Sequence, residues 1–266
     1  MKKILSLILI LLSIHCNIFA DITITGISQM SGASTAFSEN TIENLGAWFD
    51  LADSSTVSTS GNNITQIDDK SGNGKHATQA TGDNQPTYTN QINGRNVATF
   101  TTDDYMTSTM NIDYATNPNV TIIAVYQKTS SDGNDALWGQ DDSNFDRFYL
   151  TNYISTGAQL STGSALLAYP DAGGVNNLEI STVIMQNGVS NGSFSYLNKT
   201  LKNTFTESHG NSGDSVLSIG SIGSAAMADY YFNGHLCEML VFTSKPSDVD
   251  LNIAWDYLIS KDGVSV

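Results

Sequence analysis

The chain has 266 residues, and its 26 acidic and 11 basic side chains give a formal net charge of −15 at pH 7. Phosphate backbones and anionic lipid surfaces repel such a chain, which argues against nucleic acid and anionic membranes as partners. Glycine is frequent, at 22 residues, and only 14% of the residues are charged, which favours an all-β protein.

Residues 1–20 resemble a secretory signal. Lys2 and Lys3 precede an apolar run over 4–14, and Ala20 supplies a small residue before Asp21. This run is too short to cross a bilayer, and no later stretch is long and apolar enough to do so. We therefore expect cleavage near Ala20, no membrane insertion, and a mature protein that is secreted or held at the cell surface, with the periplasm left open.

Short strands are predicted along most of the mature chain, after a polar lead-in segment at 21–44. Runs of β-branched and aromatic residues alternate with clusters of Gly, Asn, Asp and Ser, as in half-buried antiparallel strands. The run at 120–128 is apolar on both faces, which predicts a central strand that is covered on both sides. The predicted strands lie at 97–100, 120–128, 145–153, 178–186, 193–198, 216–221 and 235–242.

One α-helix is predicted near 247–260, at the end of the chain. Ser247 or Ser244 can cap its N-terminus, and Gly263 follows its last turn. Apolar side chains at helical spacing predict the face that packs on the sheets. This predicted stripe consists of Val249, Ile253 and Tyr257, with Ala254 and Leu258 on its flank.

The segment DKSGNGKHATQAT, at 69–81, concentrates turn-forming residues. Gly72 and Gly74 can adopt backbone angles that other residues resist, and the side chains of Asp69 and Asn73 can bond bare backbone groups. We predict a corner between strands here, rather than a ligand contact.

Four blocks of sequence occur in an order that is typical of one known family. They are LGAWFDLADSSTV at 45–57 and the segments at 64–88, 92–106 and 232–264. Together they resemble the LamG-like jelly-roll group of the concanavalin A-like lectin/glucanase superfamily, in its bacterial secreted form. The resemblance implies one domain over 45–266, made of two face-to-face antiparallel sheets with jelly-roll connections. The chain departs from the family at Ile67, where relatives usually have Trp, and at Asp262, where they tend to have an aromatic residue.

The resemblance implies several classes of function. Members of this superfamily commonly bind carbohydrate or protein partners, often with calcium, and some are glycoside hydrolases or polysaccharide lyases. Its glucanases carry three acidic residues, two apart, on one strand, and this chain has no such array. Glu238, where relatives also tend to have Glu, is expected to have a structural role. The absence of a paired-carboxylate, triad or metal-hydrolase motif favours a protein that is not an enzyme.

One acidic segment is a candidate for calcium binding. Asp142, Asn144 and Asp146 alternate as at the start of a calcium loop, where such side chains converge on a hard cation, and Asp141 lies beside them. The residue after Asp146 is not the Gly that would aid the sharp turn, and no distal Glu follows. A plain acidic hairpin is therefore the alternative.

A carbohydrate site needs an aromatic platform that is flanked by hydrogen-bonding side chains. The candidate platforms are Trp138, Tyr149, Tyr153 and Tyr169, and the candidate polar contacts are Arg147 and Asn152. Core packing is the alternative for each aromatic residue, because aromatic side chains in strands are usually buried.

Three functions stay open at this point. The first is a secreted, non-catalytic domain that binds glycans, with calcium as a candidate cofactor. The second is a cell-surface adhesion or structural protein that engages protein partners. The third is a glycoside hydrolase or polysaccharide lyase, since Tyr and His residues can meet in space without a motif.

Overall fold

The computed structural model describes residues 37, 43–131, 133–141, 146–153, 157–162, 166–169, 173–208, 216–223 and 230–266. The predicted signal at 1–20 lies outside these ranges, as does the lead-in at 21–44 except for Phe37, Glu43 and Asn44. Residues Phe37–Val266 belong to one compact unit.

The described strands are two to ten residues long. In chain order they are β1 (Leu45–Asp50), β2 (Val57–Ser60), β3 (Asn63–Ile67), β4 (Ala77–Thr78), β5 (Gln91–Ile92), β6 (Arg95–Asn96), β7 (Ala98–Phe100), β8 (Met106–Ser108), β9 (Asn119–Lys128), β10 (Asp135–Gln140), β11 (Arg147–Tyr153), β12 (Gly157–Thr162), β13 (Leu166–Tyr169), β14 (Leu178–Gln186), β15 (Ser193–Leu197), β16 (Thr200–Phe205), β17 (Leu217–Ile219) and β18 (Gly234–Phe242). Two 3₁₀ turns, Ser54–Thr56 and Gly82–Asn84, and the helix α1 (Asp248–Asp262) complete the described elements.

Two large antiparallel sheets contain nearly all of these strands. Sheet A has the order β1-β18-β9-β14-β15-β16, with β7 also paired to β18, and sheet B has the order β13-β12-β11-β10-β17-β8-β4-β3-β2. Neighbours that are far apart in the chain, such as β1 beside β18 and β10 beside β17, are typical of jelly-roll connections. The predicted all-β class, a two-sheet antiparallel jelly-roll sandwich with one C-terminal helix, is confirmed.

Strand β9 lies in the middle of sheet A and is buried on both faces. Ile122, Ala124 and Tyr126 pack between the two sheets, whereas Ile123 and Val125 pack on the opposite face in the cluster that includes α1. Each of these side chains is at most 1% exposed. The prediction of a central strand that is covered on both sides is confirmed.

Helix α1 covers the outer face of sheet A. Ser247 caps it by accepting a hydrogen bond from the Asp250 backbone N–H, and Gly263 ends it in the left-handed conformation, at a φ of 77°. Of the predicted stripe, Ala254 and Leu258 are buried and Ile253 and Tyr257 pack against the same cluster. The exception is Val249, which is 69% exposed. Trp255 sets the orientation of the helix, since its indole N–H donates to Thr182 Oγ1 on β14 at 2.8 Å. The residues that α1 buries are Leu251, Ala254, Trp255, Leu258 and Asp262. No helix in the described ranges is long and apolar enough to cross a bilayer.

A buried charge cluster joins the end of α1 to sheet A. Glu238 on β18 accepts hydrogen bonds from Trp48 Nε1 on β1, at 2.6 Å, and from the Tyr257 hydroxyl on α1, at 3.1 Å. Lys261, in the last turn of α1, pairs with Glu238 and with Asp50 on β1. The expected structural role of Glu238 agrees with these contacts, which place the last turn of the helix against the two strands.

The segment 69–75 covers the free edge of β1. Asp69 Oδ1 accepts a hydrogen bond from Trp48 N at 2.9 Å, and Lys70 N donates to Trp48 O at 2.9 Å. Asn73 Nδ2 donates to Leu45 O at 2.8 Å. The predicted corner is confirmed, and it also occupies backbone groups that an exposed strand edge would otherwise offer to another chain.

Raising the pH should destabilise the protein through the buried charge cluster. Burial raises the pKa of Glu238 to about 7 and that of Asp262 to about 6, whereas the ordinary values are 4.5 and 3.8. The unfolded state therefore loses these protons at lower pH than the folded state does. The free energy of unfolding should fall as the pH rises, so Tm should be lower at about pH 7.5 than at about pH 5.

The variant Glu238→Gln isolates the contribution of this carboxyl group. Because Gln does not titrate, the decrease in Tm over the same interval should be smaller in the variant than in the wild type. Equal decreases in the two proteins, measured in parallel thermal scans, would contradict the assignment.

Candidate functional site

An open pocket lies at the outer face of sheet A, next to the residues that follow α1. Its volume is about 470 Å³, within the range of about 300–1,000 Å³ that is usual for small-molecule sites. Its lining is dominated by carboxamide side chains, and we call it the amide pocket. The lining residues are the amides Asn93, Gln127, Asn176, Asn177 and Asn198, the apolar Ile92 and Leu178, and Glu179, Gly263 and Ser265.

Three tight turns bring asparagines to this pocket. Asn93 lies in the β5–β6 hairpin, Asn176 precedes β14, and Asn198 lies in the β15–β16 hairpin. All three have positive φ, at 51°, 62° and 50°. Asn tolerates this conformation better than most residues do, so the turns select Asn for backbone reasons. The fold then places the three side chains around one cavity.

The protein itself orients three of the amides. Asn93 Nδ2 donates to Asp262 O at 2.8 Å, and Gln127 Nε2 donates to Asn176 O at 2.7 Å. Asn198 Oδ1 accepts from Ile180 N at 3.0 Å. Because each bond involves a backbone group of known polarity, it also fixes which end of the amide is oxygen and which is nitrogen. The groups left for a ligand are Asn93 Oδ1, Gln127 Oε1 and Asn198 Nδ2.

Glu179 is the only ionisable group among the lining residues, all of which are described, and it is 2% exposed. Its carboxylate accepts hydrogen bonds from Gly174 N at 2.9 Å and from the Tyr126 hydroxyl at 3.2 Å. A Cβ at Gly173 would lie 1.7 Å from Glu179 Oε1, so the chain approaches the carboxylate as closely as glycine allows. Glu179 therefore anchors the loop that leads to Asn176.

The predicted aromatic platform lies inside the sandwich. Trp138 and Tyr149 are 0% and 5% exposed, and their rings stack on each other with centroids 6.1 Å apart. A sugar ring cannot stack on them there, so both are core residues, as the alternative of core packing predicts. Asn152 is partly exposed, and its Nδ2 donates to Ser131 O and Gly133 O, which supports the preceding turn. Tyr153 ends β11 and Tyr169 ends β13, and both side chains lie outside the described part of the structure.

Arg147, predicted as a polar sugar contact, is 1% exposed and uses all five of its N–H donors within the protein. Nε and Nη2 bind the two carboxylate oxygens of Glu207, at 2.7 and 2.9 Å. The other three donors bind backbone oxygens of Ile112, Asn117 and Pro118. Arg147 is therefore a structural residue, which joins sheet B to the chain after β16.

The predicted calcium residues are only partly described. Asp141 and Asp146 are each 3% exposed, and Asp146 N donates to Asp141 Oδ1 at 3.4 Å, so the fold brings these two together. Asp142 and Asn144 lie outside the described residues. Within the residues that are described, no group of three or more His, Cys, Asp or Glu side chains could hold a metal ion. Calcium binding stays a prediction.

No family model matches the chain, and no curated protein matches it either. Solved structures do. Domain 4 of AbnA, a GH43 extracellular arabinanase from Geobacillus stearothermophilus, in complex with arabinotriose, has a TM-score of 0.53 at 13% identity, covering 79% of this chain and 98% of that domain. An arabinofuranosidase complexed with arabinofuranosyl-α-1,2-xylobiose has a TM-score of 0.56 at 13% identity, covering 86% of this chain and 60% of that one. The binding domain of botulinum neurotoxin serotype D has a TM-score of 0.53 at 14% identity, covering 82% of this chain and 53% of that one.

These likenesses establish a shared β-sandwich fold. The chain spans little more than half the length of the second and third structures, and all identities are low. The narrower assignment to the LamG-like group stays a prediction.

Removing Arg147 should destabilise the fold strongly. The variant Arg147→Ala leaves Glu207 as a buried carboxylate without its cation, which should lower the free energy of unfolding by about 3–5 kcal/mol. Chemical denaturation measures this difference. The control Asp256→Ala removes the Lys199–Asp256 pair, in which Asp256 is 71% exposed, and should cost at most about 1 kcal/mol. An equally small cost at Arg147 would contradict the structural role.

Proposed function

We propose that this chain is a secreted, non-catalytic domain that binds glycans, and that the ligand occupies the amide pocket. The observation that carries the proposal is the convergence of five carboxamides on one open cavity. A sugar hydroxyl both donates and accepts hydrogen bonds, and a carboxamide offers one group of each kind. The half-buried Ile92 and Leu178 provide an apolar surface for the C–H groups of a sugar ring.

The fold neighbours support this proposal. The match to the arabinanase domain covers 98% of that domain, and that domain is in complex with arabinotriose. That likeness alone does not choose a function, because one fold hosts many activities. The amides of the pocket supply the argument that is specific to this chain.

Binding is favoured over hydrolysis by the charges at the pocket. Most glycosidases use a pair of carboxyl groups that flank the scissile bond. Among the lining residues, which are all described, Glu179 is the one carboxylate, and it is bonded to Gly174 N and the Tyr126 hydroxyl. The alternative of a surface protein that engages protein partners stays a prediction.

Truncating the amides should weaken glycan binding. Once an array of glycans has identified a ligand, Gln127→Ala and Asn177→Ala should each raise its Kd about 3- to 10-fold, the loss of one net hydrogen bond of about 0.5–1.5 kcal/mol. Titration calorimetry measures these changes. Asn252→Ala removes an exposed amide on α1, outside the pocket, and should leave Kd unchanged. Equal changes in Kd in all three variants would overturn the proposal, as would the absence of binding to any glycan on the array.

Calcium is proposed as an aid to this domain, bound by Asp141, Asp142, Asn144 and Asp146. Because a bound ion stabilises only the folded state, a chelator should lower the Tm of the wild type. Asp142→Ala should remove this sensitivity, whereas Asp256→Ala, at an exposed site on α1, should keep it. A wild-type Tm that does not respond to the chelator defeats the calcium proposal and leaves glycan binding untouched.

A further inference from the structure

The amide pocket presents a fixed pattern of hydrogen-bonding groups. The Nδ2 of Asn93 and the Nε2 of Gln127 donate to backbone oxygens, so the carbonyl oxygens of both side chains stay available to a ligand. Asn198 is held by its oxygen, so its NH₂ group stays available. Two acceptors and one donor therefore have set positions before any ligand arrives.

The lining of the amide pocket carries negative charge and no positive charge. None of the ten lining residues is basic, and the one ionisable residue among them is Glu179. The chain as a whole carries a formal charge of −15. An anionic group in the pocket could accept from Asn198 Nδ2, but it would also meet two carbonyl oxygens and a carboxylate, without a lining cation to balance it.

We propose that the amide pocket selects uncharged saccharides and rejects saccharides whose units carry carboxylate or sulfate groups. This inference rests on the proposed function. A neutral hydroxyl can donate to Asn93 Oδ1 and Gln127 Oε1 and accept from Asn198 Nδ2. A carboxylate or sulfate only accepts, so it leaves both carbonyl oxygens unbonded and faces their negative ends.

Paired polymers that differ only in charge test the selectivity. Three pairs serve as probes: hydroxyethyl and carboxymethyl cellulose, methyl-esterified and de-esterified polygalacturonan, and dextran and dextran sulfate. In affinity electrophoresis or calorimetry, the neutral member should be bound at least about tenfold more tightly than its anionic partner. The preference should persist at about 0.5 M salt, because that concentration screens the overall charge but not direct contacts.

One substitution should change the selectivity of the pocket. In Gln127→Lys, the ammonium group can still donate to Asn176 O, and it replaces a ligand-facing acceptor by a cation. The ratio of neutral to anionic affinity should fall about tenfold. The control Asn252→Lys adds the same charge outside the pocket, on α1, and should leave the ratio unchanged.

The two levels of the proposal fail in different ways. If the protein binds none of the polymers and no glycan of the array, glycan binding itself is overturned, and the selectivity with it. Binding of the anionic members as tightly as the neutral ones overturns only the selectivity. If the preference for neutral polymers disappears at high salt, the overall charge of the protein causes it, and the inference is overturned. The same conclusion follows if Asn252→Lys changes the affinity ratio as much as Gln127→Lys does.

Discussion

The buried Glu238 carboxyl group, where the first strand, the last strand and the helix meet, makes the hydrogen bonds on which the assembly of this fold depends. Its carboxylate, on the last strand, meets Trp48 of the first strand and Tyr257 of the helix, so segments 190 residues apart in the chain converge on one group. A buried carboxylate is costly unless it is paired, which means that sheet and helix must meet in one arrangement to satisfy it. Lys261 extends the contact to the last helical turn, and the chain continues from there into Gly263 at the amide pocket. The pocket wall thus depends on a charge cluster outside its own lining.

Polar residues in this protein have roles that their sequence context does not suggest. Arg147 stands in a strand beside aromatic residues, as a sugar contact would, but it closes one end of the sandwich by binding Glu207 and three carbonyl groups. Asn93, Asn176 and Asn198 stand in turns, where Asn is common for backbone reasons, and yet their side chains line the cavity. Between two sheets, a polar side chain must be satisfied internally. In an exposed turn, it keeps a group for a ligand.

Local patterns explain which features could be predicted from the sequence. The apolar run of β9, the Ser247 cap and the Gly263 stop each depend on neighbours in the chain, and all three agree with the structure. The buried face of α1 was also accessible from its spacing, because Leu251, Ala254, Trp255 and Leu258 follow the i, i+3, i+4, i+7 pattern, but the predicted stripe was centred on the neighbouring Val249, Ile253 and Tyr257. The partner of Arg147 lies 60 residues away, in a segment without a distinctive pattern.

The amide pocket could not be predicted from the sequence, because it too depends on contacts between distant segments. Its asparagines come from three separate turns, and only the sheet topology brings those turns together. The sequence does carry one usable signal, the dipeptides Asn93-Gly94 and Asn198-Lys199, in which both residues have positive φ. Bonds to backbone groups orient the Asn93 and Asn198 amides. A ligand would therefore not have to order these side chains, which lowers the entropic cost of binding. With so little apolar surface in the pocket, this preorganisation is the main source of affinity that the geometry offers, and repeated units of a polysaccharide would add to it by multivalent contact.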